Sequence, residues 1–193
     1  MHKITLDIET TGEFGTNNDV LALDLAVVCI HDSETDSFTC FTQEELPSLW
    51  PILERSDLII GYNSDHFDIP ILNKYYAGDL TRIKSVDLMK EVKEVLGRRL
   101  KLDNIAQATL GCKKSGSGLQ SIAWWQSGEY DKVKQYCTDD VRITRDLYDY
   151  ARKNKSIKYT DYDGVREIKL PNTASWEKKN KDDQSALTHT LPF

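Results

Sequence analysis

Ile4-Thr5-Leu6-Asp7-Ile8-Glu9-Thr10-Thr11-Gly12 alternates from its first residue: Ile4, Leu6 and Ile8 fall on one side, Thr5, Asp7 and Glu9 on the other. A period of two is that of a β-strand with one face on a core. Residues i and i+2 share a face, so Asp7 and Glu9 project together while Ile8 points away. A single acidic residue on a strand is ordinarily a solvated face. An Asp-Ile-Glu-Thr-Thr-Gly run between apolar neighbours departs from that ordinary case.

Working outward, residues 20–30 form an apolar, β-branched run, and residues 37–42 a third strand, with turn chemistry at 12–18 between the first two. Three consecutive strands followed by helices argue for an α/β chain whose mixed sheet starts as an antiparallel meander. Residues 44–55 read as a helix with Leu46, Leu49, Trp50 and Leu53 on one side and Pro47 in its first turn. A short buried strand at 57–62 and a helix at 67–76 follow. Helical patterns at 86–96, 102–110, 119–126 and 130–152 complete the second half, punctuated by Gly97, Gly111 and the loop 115–118. Residues 157–162 and 165–170 flank Asp163-Gly164, a preferred hairpin pair. The expected divisions are a domain at 1–153, a C-terminal β-hairpin appendage at 154–170 and a disordered tail at 171–193.

At 193 residues the chain is long enough for one domain with a real core. Hydrophobic residues at 39% and charged residues at 29% place it with soluble globular proteins rather than fibrous or membrane chains. No apolar run approaches a membrane span, and Met1-His2-Lys3 leads straight into a strand rather than a secretory segment, so a cytoplasmic location is expected. Cys29, Cys40, Cys112 and Cys137 lie far apart with no Cys-x-x-Cys pair, which argues against structural zinc and for free thiols. The net charge of −6 is unevenly distributed: residues 1–70 carry two basic residues against 14 acidic ones, and the remainder carries 23 against 17. An acidic half suited to cations is joined to a half that tolerates phosphates, unlike a uniformly basic duplex binder.

Two distant stretches add to the first. Gly61-Tyr62-Asn63-Ser64-Asp65-His66-Phe67-Asp68 ends in a carboxylate at a strand-to-helix junction, and Tyr136-Cys137-Thr138-Asp139-Asp140 lies in a helical pattern. Tyr136 and Asp140 are four apart and stack on one helix face; Asp139, three from Tyr136, competes on spacing alone. Hard cations prefer carboxylate oxygens and water. Four acids and a tyrosine converging from separate parts of the chain suit two divalent metals for phosphodiester cleavage.

These three motifs, in this order, resemble the DEDD superfamily of 3′–5′ exonucleases, and specifically its tyrosine subclass, which includes the proofreading domains of family B DNA polymerases. The resemblance spans roughly residues 1–153 and looks nearest to exonuclease modules found alone or beside helicases. It implies an RNase H-like mixed five-stranded sheet with flanking helices. It also implies two Mg²⁺ or Mn²⁺ ions held by Asp7, Glu9, Asp68 and Asp140, with Asp7 bridging both. The family's Tyr-x-x-x-Asp spacing selects Asp140 over Asp139. A related subclass carries histidine where this chain has Gln135. Tyrosine titrates at ~10 and is a poor base at neutral pH, so Tyr136 is expected to orient water. By the same resemblance, Thr11 and Gly12 offer amides to the terminal nucleotide, Asn63 lies near the substrate strand, and Phe67 packs beneath the site. Lys113 and Lys114, in a glycine-containing loop, are candidates for gripping phosphate, with a solvated basic loop as the equal alternative. Asp65 and His66 have no family role. Trp124 and Trp125 suit base stacking, although a helical setting favours the core.

The implied activity is removal of nucleotides from single-stranded 3′ ends, DNA favoured, releasing 5′-monophosphates. An RNA-trimming enzyme and a non-catalytic, helicase-associated binding module are the alternatives. A helicase, a polymerase or a sliding clamp are the protein partners considered. Gln184, Leu187, Leu191 and Phe193 loosely resemble the glutamine-led peptides that dock sliding clamps, without the usual aromatic pair.

Overall fold

The structure, a computed structural model, describes residues 1–13, 19–112 and 116–178. Strand β1 (Lys3–Thr10) is central. It pairs antiparallel with β2 (Leu25–Asp32), which pairs antiparallel with β3 (Ser37–Thr42). On its other side β1 runs parallel to β4 (Leu58–Gly61), and β4 to β5 (Ser85–Asp87). The order β3-β2-β1-β4-β5 makes a mixed five-stranded sheet in an α/β fold, with the meander at its start as expected.

The alternation of β1 divides the molecule into layers. Ile4, Leu6 and Ile8 join a core with Leu46, Leu49, Leu53, Ile69 and Leu72, from α1 (Leu46–Glu54) and α2 (Asp68–Asn73). The opposite face is covered by α6 (Tyr130–Asn154), whose Val133, Cys137 and Val141 pack on Val27 and Cys29 of β2. Beside it lie α3 (Leu88–Leu96), α4 (Leu102–Leu110) and α5 (Gly118–Gln126). Apolar burial on both faces stabilises the fold, at roughly 25 cal/mol per Å² removed from water.

Several expectations are corrected. The run at 20–30 is not one strand: residues Val20–Ala22 form a 3-10 turn capped by Asp19, and β2 begins at Leu25. The helix expected from residue 86 starts at Leu88, because Asp87 accepts from the amides of Met89 and Lys90 and so caps it. Residues 85–87 are thereby released to form β5. The hairpin is β6 (Ser156–Asp161) and β7 (Gly164–Lys169), turning on Tyr162 and Asp163 with Gly164 already in the second strand. It does not stand apart as an appendage, since Ile157, Tyr159, Ile168 and Leu170 enter one core with Leu58, Ile60 and Val86.

Residues 171–178, expected within the disordered tail, are ordered. Residues Pro171–Ser175 form a 3-10 helix, and Trp176 stacks on Tyr148 with ring centroids 5.4 Å apart. Glu177 accepts hydrogen bonds from Lys3, Tyr148 and Arg152. The clamp-like residues Gln184, Leu187, Leu191 and Phe193 lie outside the described residues.

The cysteine reading is corrected in part. Cys29 and Cys40 stand directly opposite on β2 and β3, with Cα atoms 4.0 Å apart, and are joined by a disulfide. Sequence spacing could not disclose this, because cross-strand register brings them together. Cys112 and Cys137 are free thiols.

Candidate metal centre

At the C-terminal end of β1 the sheet opens into a cleft of about 600 Å³. Asp7 and Glu9 project into it from the α6 side of the strand, and Asp140 meets them from α6. One carboxylate oxygen from each of the three lies within 4.8 Å of the others. Glu9 and Asp140 are buried, and Asp7 is half-buried. This donor set, hard oxygens on three rigid positions, fits a divalent cation. Beneath it the thiol of Cys137 donates to the backbone carbonyl of Asp7 (3.2 Å). Burial first, and then the charge of Asp7, pushes that thiol up, so it stays neutral.

Asp68 lines the same cleft but stands outside the 4.8 Å trio. It opens α2, and its Oδ1 accepts from the amide of Ile8 (3.1 Å), which ties the helix to β1. Burial is the main cause that pushes its carboxyl up to about 8, with the charges of Asp87 and Glu9 adding to it. A cation beside it would favour the carboxylate.

The junction that delivers Asp68 is tight. A side chain at Gly61 would meet Ser64 at 2.3 Å, so only glycine lets the chain leave β4 here. Asn63 follows with φ of 67° and donates its amide to Asp87 (2.8 Å). Asn63 and Phe67 both line the cleft, as does Gly12. The Thr11 amide donates to Asp24 O (2.9 Å), at the base of the β1–β2 connection. Asp65 is a structural residue, accepting from Ser85 and paired with Lys90.

On α6, Tyr136 is buried beside Asp140 and lines the cleft. The ring of Trp124 meets it edge-on, with centroids 6.3 Å apart. Asp139 takes another direction, accepting from Gln135 (2.9 Å) and Arg142 (2.8 Å). Trp124 and Trp125 are half-buried against the α6 core, as their helical setting suggested. Lys113 and Lys114 lie outside the described residues.

Sequence reasoning missed part of the cleft wall. Leu23, Tyr62, Lys101, and Leu119 and Ile122 of α5 all line it. The run Arg98-Arg99-Leu100-Lys101, basic and next to a helix start, was the signal for Lys101.

A family model described as the RNase H superfamily matches residues 4–152. No curated protein matches the chain. Among solved structures, a family B DNA polymerase from the hyperthermophilic archaeon Pyrobaculum calidifontis is similar, with a TM-score of 0.62 and 21% identity over 78% of this chain. At that identity the likeness shows the fold alone. The match spans 24% of the polymerase chain.

Proposed function

The chain belongs to the RNase H superfamily, and on that premise we propose that it is a metal-dependent 3′–5′ exonuclease acting on single-stranded nucleic acid, DNA in preference to RNA. The observation that carries this reading is the trio Asp7, Glu9 and Asp140, converging within 4.8 Å on the floor of an open cleft. The likeness to a DNA polymerase supports DNA as the substrate.

Asp7, Glu9 and Asp140 would hold two Mg²⁺ or Mn²⁺ ions with Asp68 completing the set, and the ions would supply Lewis acidity and neutralise charge at the leaving oxygen. The remaining work falls to the protein. Leu23, Phe67, Leu119 and Ile122 line the same cleft as the acids and would offer apolar surface to the terminal base. Tyr136, buried next to Asp140, orients the attacking water through its hydroxyl. Water adds to phosphorus, the bond from phosphorus to the preceding 3′-oxygen breaks, and that oxygen takes a proton. The products are a nucleoside 5′-monophosphate and a strand shorter by one nucleotide.

The test is digestion of 5′-labelled single-stranded DNA and RNA with Mn²⁺, Mg²⁺ or EDTA, beside Asp7→Ala. A metal-dependent ladder shrinking from the 3′ end, absent in the variant, is the expected result. Intact oligonucleotides in every lane would reject the reading in favour of a binding module.

A further inference from the structure

A second cavity, of about 460 Å³, adjoins the acidic cleft. The two share Tyr62, Lys101, Ser117, Gly118 and Tyr136, so the wall runs continuously from one to the other. Its chemistry changes along its length. The floor of the first cleft is carboxylate, whereas the second carries Arg99 and Lys101 against one acidic residue, Asp103.

The basic pair is built into the fold. Gly97, with φ of 75°, ends α3 and turns the chain into the segment 98–101. The hydroxyl of Tyr62, at the end of β4, donates to Leu100 O (2.8 Å) and anchors that segment beside the cleft. Leu100 and Leu102 are buried, which leaves Arg99 and Lys101 at the surface, in the groove wall. Arg98 is committed elsewhere, paired with Asp161 at 3.4 Å and placed over the ring of Tyr159. Neither Arg99 nor Lys101 is in an ion pair among the described residues.

From this continuity and charge complementarity we infer that Arg99 and Lys101 hold the phosphates of the strand upstream of the scissile bond. The second cavity is then the entry track for a single-stranded nucleic acid whose 3′ end lies over Asp7, Glu9 and Asp140. Tyr62 positions the track by fixing its loop. The inference rests on the exonuclease reading for the polarity of the strand, but it makes a claim of its own about binding.

Each phosphate neutralised on a single strand contributes roughly 0.7 to the slope of log K against log salt. Binding of 5′-fluorescent dT12 and dT3 is measured by anisotropy in Ca²⁺ across a salt series. The proteins are the full chain and its Arg99→Ala, Lys101→Ala, double and Arg98→Gln variants, each checked by thermal melting. The double variant should lower the dT12 slope by roughly 1.4, each single by roughly 0.7. The loss of affinity should be larger for dT12 than for dT3. Arg98→Gln removes the same charge and should leave the slope where it was. An unchanged slope in a folded double variant, or an equal loss in Arg98→Gln, would overturn the track. Digestion of the same oligonucleotides separates the two claims. Cleavage without an Arg99 or Lys101 effect sinks the track and spares the exonuclease, whereas slope changes without cleavage do the reverse.

Discussion

Asp87 accepts four backbone N–H groups, from Asn63, Asp65, Met89 and Lys90, whereas Asp7, Glu9 and Asp140 bring carboxylate oxygens within 4.8 Å of one another. Both are acidic positions inside one small protein. In the first, amides replace the lost water, and the carboxylate staples the end of β4 to the start of α3. In the second, like charges gather where a cation could offset them. Burial alone does not mark a functional acid; what surrounds the carboxylate does. Asp68 combines both traits, taking the Ile8 amide while facing the cleft.

The sharpest way to break this comparison is to remove an acid from each group. Asp7→Ala or Asp140→Ala should abolish cleavage, a loss of at least about 10³-fold by analogy with removing electrostatic stabilisation from a transition state. Melting should show the fold intact. If either variant unfolds, the trio is structural after all.

Tyr136→Phe should come next, lowering kcat by roughly 10- to 100-fold, less than loss of a true general base, which is worth up to about 10⁴. The ring and its contact with Trp124 remain, so the variant should stay folded. Rates retained in full would remove the hydroxyl from the chemistry.

Asp87→Ala should behave in the opposite manner: stability falls by about 1–3 kcal/mol as amides lose their acceptor, while the folded fraction stays active. Denaturant unfolding, run beside activity below the transition, reads both quantities. Activity lost in a fully folded Asp87→Ala protein would place that residue in the site.

The smallest effect is a pH dependence. The folded carboxyl of Asp68 holds its proton up to about 8, while the unfolded chain releases it in the ordinary range near 3.8. Between those values the folded state binds more protons, so metal-free stability falls as pH rises. Mn²⁺ favours the ionised form, so the gain in Tm on adding Mn²⁺ should be greater at pH 8 than at pH 5.5. Equal gains at both would detach Asp68 from the cation.

The site was legible because its residues follow the periods of their elements. Asp7 and Glu9 obey the strand's repeat of two, and Tyr136 and Asp140 the helix's i, i+4 spacing. What escaped depended on the third dimension. Strand β5 has one apolar residue, Val86, and was absorbed into the helix that Asp87 caps. Trp176 lies among polar neighbours in sequence, yet stacks on a ring 28 residues earlier, Tyr148. Lys101 and Arg99 gain meaning only when Tyr62 brings their loop to the cleft.

The disulfide between Cys29 and Cys40 carries one more consequence. Among the described residues β3 pairs only with β2, so it is an edge of the sheet. Phe38 and Cys40 lie toward α6, where Arg142 and Arg145 stack on the Phe38 ring at 5.0 and 5.2 Å. A slip of one residue would send both to the other side and bring Thr39 and Phe41 in their place. Ordinarily such slippage is opposed by packing and turn geometry. Here a covalent tie at directly opposed positions fixes the phase of the strand, so its ends can fray while its alignment holds.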